Sequence, residues 1–294
     1  MTVRPARAAL ARPTPRRRLR PGRLAANLVA VLIALAWAFP VYWMINSSLL
    51  PNAVLISSRP RLWPWGGSFD NYAAALASGS FFNSLKTSLI VTLIAVAACL
   101  LFAFCAALAI SRYRFRGRTS FVLAILFIQM LPAEGLFIAQ YKLLANVGLL
   151  NQAAGLAVLY TAAVVPFTIW MLRGFVAGVP ADLEEAAMVD GCSRSGAFFR
   201  ITFPLLAPGL VASGVYAFLQ AWNEFTIALV IMQKEDARTL PLWLRGFIQA
   251  SATRETDWGQ VMAASTLVAL PVIVFFLLVQ GRLTSGLVAG AVKG

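Results

Sequence analysis

Residues 87–110 read TSLIVTLIAVAACLLFAFCAALAI, and no charged side chain interrupts them. A helix needs about 20 consecutive apolar residues to cross the hydrocarbon core of a bilayer, and this stretch exceeds that length. Its apolar residues do not alternate with polar ones, so it does not fit a strand of a membrane barrel. The segment therefore predicts a membrane-spanning helix.

The whole chain has the same character. Of its 294 residues, 60% are hydrophobic and only 12% are charged, whereas a soluble domain carries about a quarter charged residues. The mean hydropathy of +0.77 excludes an ordinary soluble enzyme, a disordered chain and a fibrous repeat. We predict an all-α polytopic membrane protein with six transmembrane helices, at residues 24–45, 87–110, 119–141, 152–172, 209–231 and 259–281.

Several absences from the sequence limit the chemistry. The chain has no histidine, so imidazole catalysis and histidine-ligated metals are excluded. Its three cysteines, Cys99, Cys105 and Cys192, show no CxxC spacing that would indicate a zinc site. No GxxxxGK[ST] phosphate loop occurs, so this chain does not hydrolyse ATP by that route. We expect no catalytic residue, metal site or cofactor here.

The basic residues predict the orientation. With the N-terminus inside, 17 of the 25 Lys and Arg residues lie in inner segments, which places both termini in the cytoplasm. Residues 1–23 form a basic, proline-containing cytoplasmic tail that we predict to be disordered and in contact with anionic lipid. The tail lacks interleaved aromatic residues, so nucleic-acid binding is disfavoured. A cleaved signal peptide ending near residues 34–36 is the alternative, but apolar residues continue beyond it and favour retention.

The connection at residues 173–208 is longer than two adjacent spans need. Asp182 followed by Glu185 predicts a capping box, and Gly191 predicts the end of a short helix whose apolar face holds Leu183, Ala186 and Ala187. Ser193 predicts the cap of a second short helix. The pattern alone fits either an interfacial helix packed on the protein's own spans or a surface for a partner.

A family resemblance bears on this choice. Residues 185–191, EAAMVDG, followed by Ile201 and Phe203-Pro204, resemble the EAA loop of permease subunits of binding-protein-dependent ABC importers. Cys192 replaces a usual small residue, and Phe203 replaces the usual leucine before the proline. Residues 221–225, AWNEF, and the ending 290–294, GAVKG, are similar to the carbohydrate branch, specifically the smaller, maltose-permease-like partner with six spans.

The resemblance implies an assembly. A transmembrane domain at 24–288 would pair with a second permease subunit, two ATPase subunits that bind ATP and Mg²⁺, and an extracytoplasmic solute-binding protein. The loop at about 180–205 would dock on an ATPase, and the tail 289–294 would reach towards the ATPase pair. The implied joint comprises Glu185, Ala186, Ala187, Asp190 and Gly191.

Other residues are candidates for the wall of a translocation path through the membrane. Charged side chains are rare inside a membrane and usually face protein or water, so Glu224 and Glu134 are candidate walls of a translocation path. Asn223 and Trp222 lie beside Glu224, although aromatic residues there equally suit bundle packing. By resemblance, Arg245 and Arg254 would contact the binding protein; a solvated polar loop is the alternative.

Together these features predict a subunit that imports a sugar or oligosaccharide across the bacterial cytoplasmic membrane by alternating access. An importer of polyamines or phosphorylated compounds shares the same loop and is the first alternative. An ATP-independent channel is the second, and it predicts that the loop binds nothing.

Overall fold

The computed structural model describes residues 21–59, 61–77, 79–252 and 256–291, and all regular structure among them is helical. The chain divides into two units, Met1–Met44 and Ile45–Gly294. Thirteen α-helices are assigned in these ranges: α1 Pro21–Ser48, α2 Asn52–Leu55, α3 Asp70–Ala77, α4 Phe81–Arg112, α5 Arg118–Gln129, α6 Phe137–Asn146, α7 Ala153–Ala177, α8 Asp182–Val189, α9 Arg194–Ala197, α10 Phe203–Asn223, α11 Thr226–Ile231, α12 Leu240–Ala252 and α13 Trp258–Ala291. Single turns of tighter or wider helix occupy Ala133–Leu136, Phe198–Thr202 and Glu235–Ala237.

Five helical stretches in the described ranges are long and apolar enough to cross a membrane. They contain α1, α4, α7, α10 and α13, which confirms an all-α polytopic protein. Helix α1 already begins at Pro21, so the end of the predicted disordered tail 1–23 is helical, and residues 1–20 lie outside the described part. Helix α13 continues to Ala291, and the last three residues of the predicted tail 289–294 also lie outside it.

The predicted third span, 119–141, is wrong as a continuous helix. Helix α5 ends at Gln129, a single 3₁₀ turn follows Pro132, and α6 begins at Phe137. Proline lacks a backbone N–H and disfavours helical geometry in the residue before it, which explains the interruption.

The predicted fifth span, 209–231, is also interrupted. Helix α10 begins six residues earlier than the predicted span, at Phe203, and ends at Asn223. Glu224 has an extended backbone with ψ 126°, and the separate helix α11 starts at Thr226. No glycine or proline marks this break in the sequence.

The packing shows how the helices of residues 45–294 run. The first halves of α4 and α7 share one apolar cluster through Val91 and Leu156, and their second halves share another through Ile110 and Leu172. The two helices are therefore parallel, so the chain between them must return across the bundle. Helices α5 and α6 make that return, because α5 contributes Ile125 to the second cluster and α6 contributes Leu144 to the first.

Helix α10 runs in the opposite direction. Its beginning contributes Leu206 to the cluster that contains Ile110 and Leu172, and its end contributes Ala221 to the cluster that contains Val91. The long connection between α7 and α10 therefore lies at the end of the bundle where α4 and α7 finish. The interruption between α10 and α11 lies at the opposite end, so the two features that carry the candidate sites are separated by the length of α10.

Candidate coupling loop and translocation cavity

Helix α8 ends as the sequence predicts. Gly191 has φ +90°, a conformation that side chains with a Cβ rarely adopt. The Gly191 N–H donates to the Met188 carbonyl (3.1 Å), and the Cys192 N–H donates to the Ala187 carbonyl (3.0 Å). These paired bonds form a Schellman motif, which closes the helix sharply. Gly191 therefore fixes the turn between α8 and α9.

The second predicted cap is confirmed and the first is wrong. The Gly196 N–H donates to Ser193 Oγ (3.2 Å), so Ser193 caps α9. At α8, however, Ala181 is the capping residue and its backbone is already helical, with φ −67° and ψ −29°. Asp182 therefore lies inside the first turn and makes no capping bond. There the carboxylates of Asp182, Glu184 and Glu185 still interact favourably with the helix dipole.

The five predicted joint residues divide between the surface and the interior. Glu185, Ala186, Asp190 and Gly191 are exposed, whereas Ala187 is buried with 8% of its surface accessible. Of the predicted apolar face of Leu183, Ala186 and Ala187, only Ala187 is buried, and the other two side chains are exposed. Val189 is 88% exposed beside them. The loop presents a small-residue surface that carries the carboxylates of Glu185 and Asp190.

Glu184 is the residue that sequence analysis missed. Its Oε1 lies 3.2 Å from Nη2 of Arg112, at the end of α4, and accepts a 2.6 Å hydrogen bond from Thr202 Oγ1. Thr202 is fully buried in the turn that leads into α10. One carboxylate thus joins α8 to two long helices. The signal available in the sequence was the spacing of three residues between Glu184 and the inward-facing Ala187, which places both on one face.

Aromatic contacts hold the same loop on α4. The ring of Phe104 meets Phe203 edge-on, with centroids 5.8 Å apart, and lies 6.3 Å from Phe198. The Phe198–Thr202 turn has wider hydrogen bonding than an α-helix and runs directly into α10. A cavity of about 960 Å³ remains between α4 and the loop, with Arg112, Glu184 and Arg194 in its wall. The loop is therefore firmly attached to the spans along one side and open along another.

Glu224 lies at the opposite end of α10, in the interruption before α11. Its Oε1 accepts a hydrogen bond from the Ile227 N–H (2.7 Å), and its Oε2 accepts one from the Ala228 N–H (3.1 Å). The first N–H groups of a helix lack partners within the helix, so this carboxylate completes α11. The Tyr160 hydroxyl also donates to the Glu224 carbonyl (3.3 Å).

The structure separates the four predicted path residues. Asn223 and Glu224 line a cavity of about 350 Å³ at the interruption, and Asn223 is exposed. Trp222 does not line it, because this residue is only 2% exposed and its indole ring stacks on Phe218 in the apolar core (centroids 5.6 Å apart). Glu134 lies in the 3₁₀ turn between α5 and α6, and its side chain is outside the described part of the structure.

Of the two arginines predicted to meet a binding protein, the structure describes one. Arg245 is exposed on α12, and its guanidinium carbon lies 5.8 Å from the centroid of the Phe225 ring. A smaller cavity of about 230 Å³ has Arg245 and Arg238 in its wall. Arg254 lies outside the described residues.

Comparisons with known proteins identify the family. Residues 100–288 match the model of the binding-protein-dependent transport system inner membrane component. The chain is 41% identical over 273 residues to the diacetylchitobiose uptake system permease protein DasC of Streptomyces coelicolor. The aligned residues cover 93% of this chain and 98% of that protein. It is 33% identical to the trehalose/maltose transport system permease protein MalG of Thermococcus litoralis, over 90% of this chain and 95% of that one.

A solved structure agrees with these relatives. A chain of a bacterial ABC transporter involved in the import of the acidic polysaccharide alginate superimposes with a TM-score of 0.73 and 26% identity, over 91% of this chain and 99% of that chain. The family model, the full-length relatives and the solved structure therefore all indicate the same family. The chain belongs to the family of binding-protein-dependent transport system inner membrane components and is a multi-pass permease subunit of an ABC transporter in the cytoplasmic membrane rather than an enzyme.

Proposed function

We propose that this permease subunit imports a sugar or oligosaccharide by alternating access, driven by separate ATPase subunits that dock on the loop from α8 to α9. The sugar-import function is supported by the relatives that carry diacetylchitobiose and trehalose or maltose and by the alginate transporter. The observation that carries the coupling role is the division within α8. Glu184 and Ala187 attach the helix to the spans, while Glu185, Ala186 and Val189 remain exposed.

The proposed assembly contains a second permease subunit, two ATPases that bind ATP and Mg²⁺, and an extracytoplasmic binding protein. A partner ATPase of complementary shape would cover the exposed part of α8, where small residues permit close approach. Both termini lie in the cytoplasm in this proposal, in accord with the excess of Lys and Arg on the side of the loop. ATP-dependent closure would then move α8, and the bonds of Glu184 would carry that movement to α4 and α10.

Gly191 offers a direct test of the coupling loop. Replacing it with leucine strains a backbone at φ +90°, although a Cβ there meets no atom within 4 Å. We expect Gly191→Leu to abolish ATP-dependent uptake of a radiolabelled saccharide by vesicles that contain the full transporter, with the chain still inserted in the membrane. Co-purification in mild detergent should show reduced recovery of the ATPase.

Gly117→Leu is the matched control. Gly117 has φ +89° and equally open surroundings, but it lies in the connection between α4 and α5. Uptake should survive this change far better than Gly191→Leu. Equal loss of uptake in both variants would contradict a specific role for the coupling loop. If wild-type uptake needs no ATP and no ATPase co-purifies, the protein is an ATP-independent channel instead.

A further inference from the structure

The cavity between α4 and the loop from α8 to α9 has no assigned occupant. Its volume of about 960 Å³ lies at the upper end of the range for small-molecule sites. We propose that it binds a phospholipid with an ethanolamine headgroup, whose phosphate pairs with Arg194 and whose ammonium group pairs with Glu185. This inference goes beyond the proposed function, because the site takes a membrane lipid and does not depend on which solute is transported.

The cavity lies at the depth of a lipid headgroup. Helix α4 carries no charged residue between 87 and 110, and its last residue, Arg112, lies in the cavity wall together with Tyr113. Tyr113 and Phe115 are exposed and alternate with the arginines of segment 112–116. Aromatic and basic residues directly beyond an apolar span are typical of the membrane–water interface. The cavity therefore opens where the headgroups of the bilayer begin.

An exposed face of α4 leads from the apolar span into the cavity. Phe102, Cys105, Ala109 and Tyr113 recur every three or four residues and are all exposed, so they share one side of the helix. Cys105 and Ala109 line the cavity, and their small side chains leave a groove between the two larger rings. The loop contributes Phe199, which is 64% exposed. An acyl chain along this face would bury apolar surface that the protein leaves uncovered.

The charges in the wall match a headgroup that carries both signs. Arg112 and Glu184 pair with each other, so their charges are already compensated. Arg194 and Glu185 also line the cavity, and neither side chain has an ion pair or a hydrogen bond to any other described residue. An ethanolamine headgroup supplies one phosphate for the arginine and one ammonium group for the carboxylate. An anionic lipid would leave Glu185 without a cation.

The nature of the cation narrows the choice further. An ammonium group donates N–H hydrogen bonds, and a carboxylate such as that of Glu185 only accepts them. A choline headgroup has the same two charges but no N–H to donate. Hydrogen bonds between charged groups are stronger than those between neutral ones. The wall therefore favours ethanolamine over choline.

A lipid in this cavity leaves the other side of α8 available to an ATPase. Glu184, Glu185 and Met188 line the cavity at helical spacing, whereas the exposed Ala186 and Val189 are not in its wall. Residues at these two sets of positions lie on different sides of a helix. The lipid would then fill the open side between the loop and α4, next to the attachment that Glu184 makes. It would thus add to the contacts that hold the coupling loop on the spans.

Lipid binding is measured by native mass spectrometry of the intact transporter, purified in detergent without added lipid. Phosphatidylethanolamine, phosphatidylcholine and phosphatidylglycerol with identical acyl chains are titrated separately. We expect phosphatidylethanolamine to bind about tenfold more tightly than the other two, as for one additional hydrogen bond between charged groups. The same spectra show the subunit composition, so only complete complexes are compared.

Four variants locate the site. Arg194→Gln and Glu185→Gln should each weaken phosphatidylethanolamine binding about tenfold. Arg200→Gln is the matched control, because Arg200 is an exposed arginine of the same connection that does not line the cavity. Ala109→Phe fills the apolar groove without a change of charge, and it should weaken the binding of all three lipids alike.

The outcomes decide between this lipid and other ligands. Selective binding of phosphatidylethanolamine that is lost in the three cavity variants and kept in Arg200→Gln supports the site. Equal binding of phosphatidylcholine would overturn recognition of the ammonium group, and tighter binding of phosphatidylglycerol would overturn the match to both charges. Equal loss in Arg200→Gln would show general surface attraction instead of a site. If free phosphoethanolamine displaces the lipid at the lipid's own concentration, the occupant is a soluble phosphate compound.

Discussion

The two ends of α10 are built in opposite ways, and a glutamate is central to each. At the beginning of the helix, Glu184 forms an ion pair with Arg112 and accepts a hydrogen bond from Thr202, which belong to two other elements. At the end, Glu224 bonds to backbone N–H groups of the helix that follows it. The first carboxylate connects distant parts of the chain, and the second completes a local interruption. A half-buried glutamate can therefore either join distant elements or complete a local interruption, depending on its partners.

The connecting role of Glu184 predicts the largest effect. Glu184→Gln removes the charge that faces the guanidinium of Arg112, and both side chains are only about one-fifth exposed. We expect the unfolding free energy to fall by about 1.5–3 kcal/mol, the range for hydrogen bonds to charged groups. ATP hydrolysis should persist while the number of sugar molecules imported per ATP decreases. Thermal unfolding of the purified complex and paired uptake and ATPase assays measure the two effects.

Glu185→Gln is the matched control for the stability effect of Glu184→Gln. The two residues are adjacent, but Glu185 is exposed, and an exposed substitution without partners changes stability by about 0.5 kcal/mol or less. The double variant Glu184→Gln/Arg112→Gln should be less destabilised than the sum of the single variants. Additive effects would show that the ion pair does not connect α8 to α4.

The local role of Glu224 predicts a smaller and more confined effect. Glu224→Gln replaces one accepting oxygen with an NH₂ group, which leaves one N–H at the start of α11 without its partner. We expect a loss of about 1–2 kcal/mol, comparable with the removal of a helix cap. Amide hydrogen exchange should accelerate in Thr226–Ile231 and remain unchanged in Asp182–Val189. Acceleration in both helices would mean that the two ends of α10 are energetically coupled.

Most of the long helices and the turn between α8 and α9 could be predicted from the sequence. The features that could not be predicted have physical causes. The long apolar runs depend on composition, so four of the predicted spans correspond to single long helices. Gly191 acts through its own backbone, and the Ser193 hydroxyl accepts a bond from an N–H only three residues away, so the turn between α8 and α9 could be predicted locally. The interruption between α5 and α6 contains Pro132, a visible signal that the prediction of a continuous third span did not use.

The interruption at Glu224 carried no such signal. Helix α10 ends at Asn223, so helical backbone bonds are missing at 224–225. The Glu224 carboxylate instead accepts hydrogen bonds from N–H groups of α11. These carboxylate bonds are local, but the Tyr160 hydroxyl that donates to the Glu224 carbonyl is distant in sequence. The choice between Glu184 and Glu185 is similar, because α8 has eight residues and apolar side chains on more than one face. Its inward face is set by contacts with Arg112 and Thr202, which are distant in sequence.

The smallest effect distinguishes two predicted caps within the same loop. Ser193 accepts a hydrogen bond from the Gly196 N–H, so Ser193→Ala should cost about 1 kcal/mol, typical for the loss of a cap. Asp182 makes no capping bond and interacts only with the helix dipole, so Asp182→Ala should cost about 0.3–1 kcal/mol and should depend more on salt. Thermal unfolding at low and high ionic strength measures both. A larger effect of Asp182→Ala at high salt would mean that Asp182 caps α8 in solution, and the attachment of α8 would then depend on its first turn as well as on Glu184.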